Sequence, residues 1–283
     1  CYPDAGIGVA VIDSGITPWH DALTVNTRTK TGQRVTKFVD FVNNRTTKYD
    51  DWGHGTHVAG IIAGSGFDSN GRRTGIAPRA NLIALKVLDA QGHGYISDVI
   101  DAIDYAIAVR FTYNIRVINL SVAAGVFESY RTDPLAQAAR RAVRAGIVVV
   151  AAAGNLGANS DGRPQFGGIT CPGNAPWVLT VGAASHQGTI GRSDDIVPDF
   201  TSRGPTWIDF TAKPDLIAYG VSKIREHALV TGGDAGKAGI MTMTDDRWKQ
   251  TASFMASAKL LKASTDYRRA YTLDLVKEVK VLP

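Results

Sequence analysis

Short runs of β-branched and other apolar residues alternate with helical patterns along most of this chain, and that alternation limits its fold more than any other feature. Gly8-Val9-Ala10-Val11-Ile12 has the composition of a strand buried on both faces, as the inner strands of a parallel sheet are. Residues 37–42 and 81–88 carry the next strand patterns. A helix follows over about 97–109, with Ile100, Ile103 and Ile107 on one face. Residues 117–120 form another strand, ending at Ser121. Thr132-Asp133-Pro134 reads as a helix start, a capping side chain ahead of proline in the first turn. Leu135, Ala138, Ala139, Ala142 and Val143 give that helix a buried face, and Gly146 closes it. Strands at 147–151 and 178–182 complete the series. The order predicts a single domain, residues 1–283, of the α/β class: a doubly wound, mostly parallel sheet with helices on both faces, in three layers.

Composition narrows the function classes. At 44% hydrophobic and 20% charged, the chain has enough apolar residues for a sizeable core. No run approaches the roughly 18 apolar residues of a membrane span. The net charge of +5 includes scattered pairs (Arg72-Arg73, Arg140-Arg141, Arg268-Arg269) without aromatic interleaving, which argues against nucleic-acid binding. Cys1 and Cys171 allow one disulfide at most, or two thiols. The sequence opens on Cys1 and shows no signal peptide, so a processed chain or a fragment is expected.

Two stretches carry chemistry. Asp13-Ser14-Gly15 follows the first core strand, placing a carboxylate at the end of a parallel strand where such sheets hold ligands. The alternative is that Asp13 only caps the turn through its own backbone. The second stretch is DWGHGTHVAG, residues 51–60, in which two glycines flank His54 ahead of the apolar residues 58–63. The glycines allow close backbone approach. The apolar residues read as a buried helix that aims the imidazole, the usual side chain for moving protons near neutral pH. His54 and His57 are spaced as a pair of metal ligands, but no third ligand accompanies them, and no metal site is assigned.

Taken together, VAVIDSGI around Asp13, GHGTHVAG around His54, INLS at 118–121 and AAAGN ending at Asn155 resemble the subtilisin-like serine proteases (subtilases, peptidase S8). GIAPRANLIALKVLD at 75–89, CPGNAPWVLTVGA at 171–183, FTSRGP at 200–205 and KPDLIA at 213–218 extend the likeness over about residues 7–218, in the family's order. The resemblance implies a serine endopeptidase with His54 as general base, Asp13 as its orienting carboxylate and Asn155 as donor to the oxyanion. It also implies that Ser121, Val122 and Ala123 face Ala152, Ala153 and Gly154 across the pocket for the residue before the scissile bond. Gly92, His93 and Gly94 would offer an edge to which peptide or protein substrate adds as an extended strand. The small side chains at Ala123 and Ala152 imply a pocket open to a bulky residue.

One departure stands out. The family's nucleophile motif, Gly-Thr-Ser-Met-Ala-Ser/Thr/Ala-Pro, falls where this chain reads Gln250-Thr251-Ala252-Ser253-Phe254-Met255-Ala256-Ser257-Ala258. Matching Met255-Ala256-Ser257 puts Phe254, which cannot attack a carbonyl, at the nucleophile position. Taking Ser253 as nucleophile keeps a hydroxyl but loses that register. Two readings follow: an active protease with the triad Asp13, His54 and Ser253, or an inactive relative that binds peptides. The chain diverges from the family from about residue 219. The resemblance further implies secretion, an inhibitory propeptide and structural calcium. For calcium, Asp194, Asp195 and Asp199 are the acidic group at hand, without the spacing of a recognised calcium loop. No cofactor is required.

Overall fold

The computed structural model describes residues 6–26, 31–188 and 193–217, so Cys1, Ser253 and Phe254 lie outside the described residues. These residues fall into two compact units, one drawn from 6–182 and 199–215, the other from 183–198 and 216–217. The first unit contains strands β1 (Gly8–Asp13), β2 (Thr24–Asn26), β3 (Thr31–Gln33), β4 (Val35–Asp40), β5 (Asn81–Lys86), β6 (Ile115–Leu120), β7 (Val148–Ala152) and β8 (Leu179–Gly182). Its helices are α1 (His54–Ala63), α2 (Ile96–Ala108) and α3 (Pro134–Arg144). In the second unit, the described residues form the bridge between Ser185 and Ile196 and the short strand β9 (Leu216–Ile217).

Six strands of the first unit run parallel in the order β4-β5-β1-β6-β7-β8, as the alternation of apolar runs and helices predicts. β1 lies inside the sheet, and all six of its residues are buried. Its side chains alternate between two cores, as successive residues of a strand must. Val9 and Val11 pack with Ala59 and Ala63 of α1, whereas Ala10 and Ile12 pack with Ala102 and Ile103 of α2 and Ala138 and Ala139 of α3. Helix, sheet and helix make the three layers. The antiparallel pair β2-β3 stands apart from this sheet.

The helix boundaries follow local chemistry. Asp133 caps α3 by accepting the Ala136 N–H at 2.8 Å, and Pro134 sits in the first turn, where a missing N–H costs nothing. α1 departs from expectation. It is not a buried helix but a one-sided one: Gly55, Ala59 and Ala63 are buried, while Ile61 is 55% exposed. Residues 58–63 are all apolar or glycine, but only one stripe of the helix is buried. Among the described residues no helix is long and apolar enough to cross a membrane.

Residues 199–215 return to the edge of this sheet. Asp215 accepts the Thr180 N–H of β8 at 2.7 Å, and the buried Lys213 ammonium donates to Asp215 at 2.6 Å and to the Val178 carbonyl at 2.7 Å. That attachment brings Ser202 alongside the residues that follow β7.

Candidate active site

The chain order reverses across the sheet at β1 and β6, and the carboxyl ends of strands beside such a switch leave a crevice. Asp13 is the last residue of β1, Ser121 follows β6, and Asn155 lies three residues beyond β7. His54 opens α1, which packs on β1. Gly53 takes φ +90°, and a Cβ on Gly55 would come within 2.1 Å of the Gly15 carbonyl oxygen. The two glycines of the motif therefore serve different ends, one a left-handed turn and the other close approach of helix to strand.

Within this frame His54 Nδ1 lies 2.8 and 2.9 Å from the two oxygens of Asp13, whose side chain is completely buried. An ionised carboxylate only accepts hydrogen bonds, so Nδ1 carries the proton and Nε2 is left as the basic nitrogen. Asp13 also accepts the Ser14 N–H at 2.7 Å. Asp13 thus bonds both to its own turn and to the His54 ring. Burial raises the Asp13 pKa above the ordinary aspartate value, and the hydrogen bonds from His54 and from the Ser14 N–H oppose it.

A second carboxylate, which the motif reading passed over, fastens the two halves together. Asp50 accepts from the Ser14 hydroxyl at 2.9 Å, the Gly53 N–H at 2.8 Å, and both the N–H (2.8 Å) and hydroxyl (2.6 Å) of Thr56. The Ser14 hydroxyl in turn accepts the Gly55 N–H at 2.9 Å. Burial alone would raise the Asp50 pKa, but the bonds from Thr56, Gly53 and Ser14 hold it below the ordinary value. Asp40 is held down in the same way by the amides of Asn43, Arg45 and Val42 and the Tyr49 hydroxyl. A depressed carboxylate contributes stability above its unfolded value of 3.8, and that contribution is lost as pH falls through the folded value. Asp13, with the opposite shift, contributes below 3.8 and loses it as pH rises. The expected result is that Asp50→Asn lowers the melting temperature at pH 7 and flattens its fall between about pH 4 and pH 2. Thermal melts across that range check it, and an unchanged acid slope would count against the assigned shift.

A cleft of about 490 Å³ opens beside His54. Gly92, His93 and Gly94 line one side, and Ser121, Val122 and Ala123 line another. Asp89 shapes the first side, accepting the amides of Gln91 and His93 at 2.9 Å each. Trp52, absent from the sequence reading, is a wall of the cleft: its indole lies against Gly92, where a Cβ would come within 2.9 Å of the ring. The only hint in the sequence was its position two residues before His54. Ala152, Ala153, Gly154 and Asn155 do not line this cleft. They continue from β7, the neighbour of β6 on the same rim. Gly154 has φ +102°, and Ser202 grips the turn on both sides of Asn155, its N–H donating to Gly154 O at 3.0 Å and its hydroxyl accepting the Leu156 N–H at 2.9 Å. The Asn155 side chain is exposed and makes no hydrogen bond with another described residue.

Cys171 is a buried free thiol that donates to Asp133 at 3.1 Å. Burial and that carboxylate push its pKa well up. Among the described residues no three His, Cys, Asp or Glu side chains gather as a metal site would require. Asp199 instead faces the Arg203 guanidinium at 3.5 Å.

Comparison with known proteins agrees with this architecture. Residues 4–253 match the subtilase family, peptidase S8. Serine protease AprX of Bacillus subtilis (strain 168) is 40% identical over 228 residues, covering 77% of this chain and 47% of the relative. Subtilisin E of the same organism is 37% identical over 187 residues, covering 66% and 43%. The chain therefore spans about half the length of these curated relatives. Among solved structures, a psychrophilic protease, S41, superposes with a TM-score of 0.57 at 32% identity, covering 74% of this chain and 65% of that one. A cold-adapted subtilisin-like serine proteinase gives 0.55 at 28% identity, covering 77% and 64%. With its Asp13 and His54 paired at the rim of a parallel sheet, the chain belongs to the subtilase family of subtilisin-like serine proteases.

Proposed function

We propose that the chain is a serine endopeptidase in which Asp13, His54 and Ser253 form the catalytic triad and Asn155 the oxyanion donor. The single observation that carries this reading is the bond from His54 Nδ1 to a fully buried carboxylate, which leaves Nε2 free to take a proton. The Ser253 oxygen attacks the scissile carbonyl carbon as its proton moves to His54 Nε2. The carbonyl oxygen becomes an oxyanion, which the Asn155 amide stabilises. His54 then gives the proton to the leaving amine as the C–N bond breaks, and water hydrolyses the acyl-enzyme by the same path. Ser253 lies outside the described residues, and it is also the last residue matched to the family.

Substrate would enter as an extended strand. Gly94 on one side of the cleft, and Val122 and Ala123 on the other, make no backbone hydrogen bond to another described residue. An inserted peptide can pair with both rows, and main-chain bonds of that kind give affinity without regard to side chain. Alternate side chains of a strand face opposite ways. If the residue before the scissile bond faces the small residues after β6 and β7, its predecessor faces His54 and Trp52.

Labelling with a fluorophosphonate probe, followed by peptide mapping, tests the triad. The label is expected on Ser253, and it should disappear in His54→Ala. Absence of label with peptide binding retained would show an inactive relative, with Phe254 in the nucleophile's place.

A further inference from the structure

β5 ends in a lysine where every other residue from 82 to 87 is apolar and buried, and Lys86 is itself completely buried. Taking an ammonium out of water costs several kcal/mol unless its donors are met. Here all three are. Lys86 Nζ donates to the Ser14 carbonyl at 2.7 Å, to the Asp51 carboxylate at 2.5 Å and to the Leu88 carbonyl at 2.6 Å. The Tyr49 ring lies 4.8 Å from the charge.

The three acceptors belong to three parts of the candidate site. Ser14 follows Asp13, Asp51 lies three residues before His54, and Leu88 lines the cleft and leads into the turn that presents Gly92, His93 and Gly94. β1 and β5 are in register so that Asp13 pairs with Lys86, which puts the stem of the lysine directly beside the strand end that carries the carboxylate. We propose that Lys86 is a positioning residue for the Asp13–His54 pair, its ammonium locking the turn after Asp13, the loop before His54 and the end of β5 into one arrangement. A methionine of similar volume would fill the same space and satisfy the core. It could not hold two carbonyls and a carboxylate at one point. Asp50 ties Ser14 to Gly53 and Thr56 at the start of α1, and Lys86 ties Ser14 to Asp51 in the loop before it.

The inference rests on the proposed protease reading only for its kinetic consequence, so its test reads the dyad directly. The proton on His54 Nδ1, shared with a buried carboxylate, gives a far-downfield NMR resonance that His54→Ala identifies by its loss. In the full chain carrying Lys86→Met, with native circular dichroism, that resonance is expected to broaden or vanish. In Asp51→Ala, which removes one acceptor near the surface, it is expected to shift and broaden less. Where the chain cleaves peptides, kcat should fall about 10- to 100-fold in Lys86→Met with KM nearly constant, the cost of misplacing reacting groups by a fraction of an ångström or more. An unchanged resonance in a folded Lys86→Met that melts earlier would overturn the proposal and leave Lys86 a stabilising staple. If Lys86→Met does not fold, the Asp51→Ala resonance decides alone. A chain that cleaves nothing while its resonance responds refutes the protease reading and leaves this inference standing.

Discussion

Replacing Asp13 by asparagine is expected to lower kcat about 10⁴-fold while leaving the fold intact, the scale of loss known when a triad carboxylate becomes an amide. The geometry explains why so small a change should cost so much. The amide oxygen can still accept the Ser14 N–H, which now bonds to Asp13 at 2.7 Å. Its NH₂ group then faces His54 Nδ1, where the two carboxylate oxygens now lie at 2.8 and 2.9 Å. An amide donor there makes Nδ1 the acceptor and moves the ring proton to Nε2, the nitrogen that receives the serine proton in the proposed mechanism. The side chain is buried, so water cannot substitute for the missing acceptor. His54→Ala should lose at least as much, and the double variant no more than the worse single one, because the two act as a unit. Steady-state kinetics on a peptide substrate with circular dichroism as control measures this. A loss under about 10-fold in a folded Asp13→Asn would mean that the carboxylate does not set the tautomer, and the mechanism would fall with it.

The fold was legible in the sequence because parallel strands covered on both faces have to be apolar, so 8–12, 81–88, 117–120 and 147–151 announce themselves. Asp13 and His54 were legible because their neighbours are constrained by contacts made close by in the chain. The glycines at 53 and 55 are there for a left-handed turn and a close approach that only glycine permits. What sequence reading missed depends on partners far apart. Asp50 works through Ser14, 36 residues away, and Lys86 joins positions 14, 51 and 88. In sequence each is one more charged residue near a loop. Ser202 is invisible for the same reason, since the turn it grips lies 46 residues earlier. The overestimate of burial along α1 has a related cause. Periodicity marks which residues could face a core, but the sheet covers a single stripe and leaves Ile61 in solvent.

Asn155→Leu tests the remaining member of the proposed site and should lower kcat about 10²–10³-fold with little change in KM, the magnitude known for removing one such donor in subtilisin. Leucine matches asparagine in shape but has no N–H. The substrate's carbonyl carries full negative charge only after attack, so a donor aimed at that oxygen acts on the transition state more than on the bound substrate. The backbone around Asn155 is fixed before substrate arrives. Gly154 holds a left-handed φ of +102°, and the buried Ser202 bonds to the residues on either side. The side chain itself is exposed and has no hydrogen-bond partner among the described residues, so its donors are unspent. The backbone is fixed, and the amide has no protein hydrogen bond to give up when it meets the developing charge. Asn155→Asp should be worse than Asn155→Leu, because a carboxylate would repel the oxyanion rather than merely fail to bind it. If KM rises in Asn155→Leu while kcat holds, the amide binds ground-state substrate, and the oxyanion must be met by other donors.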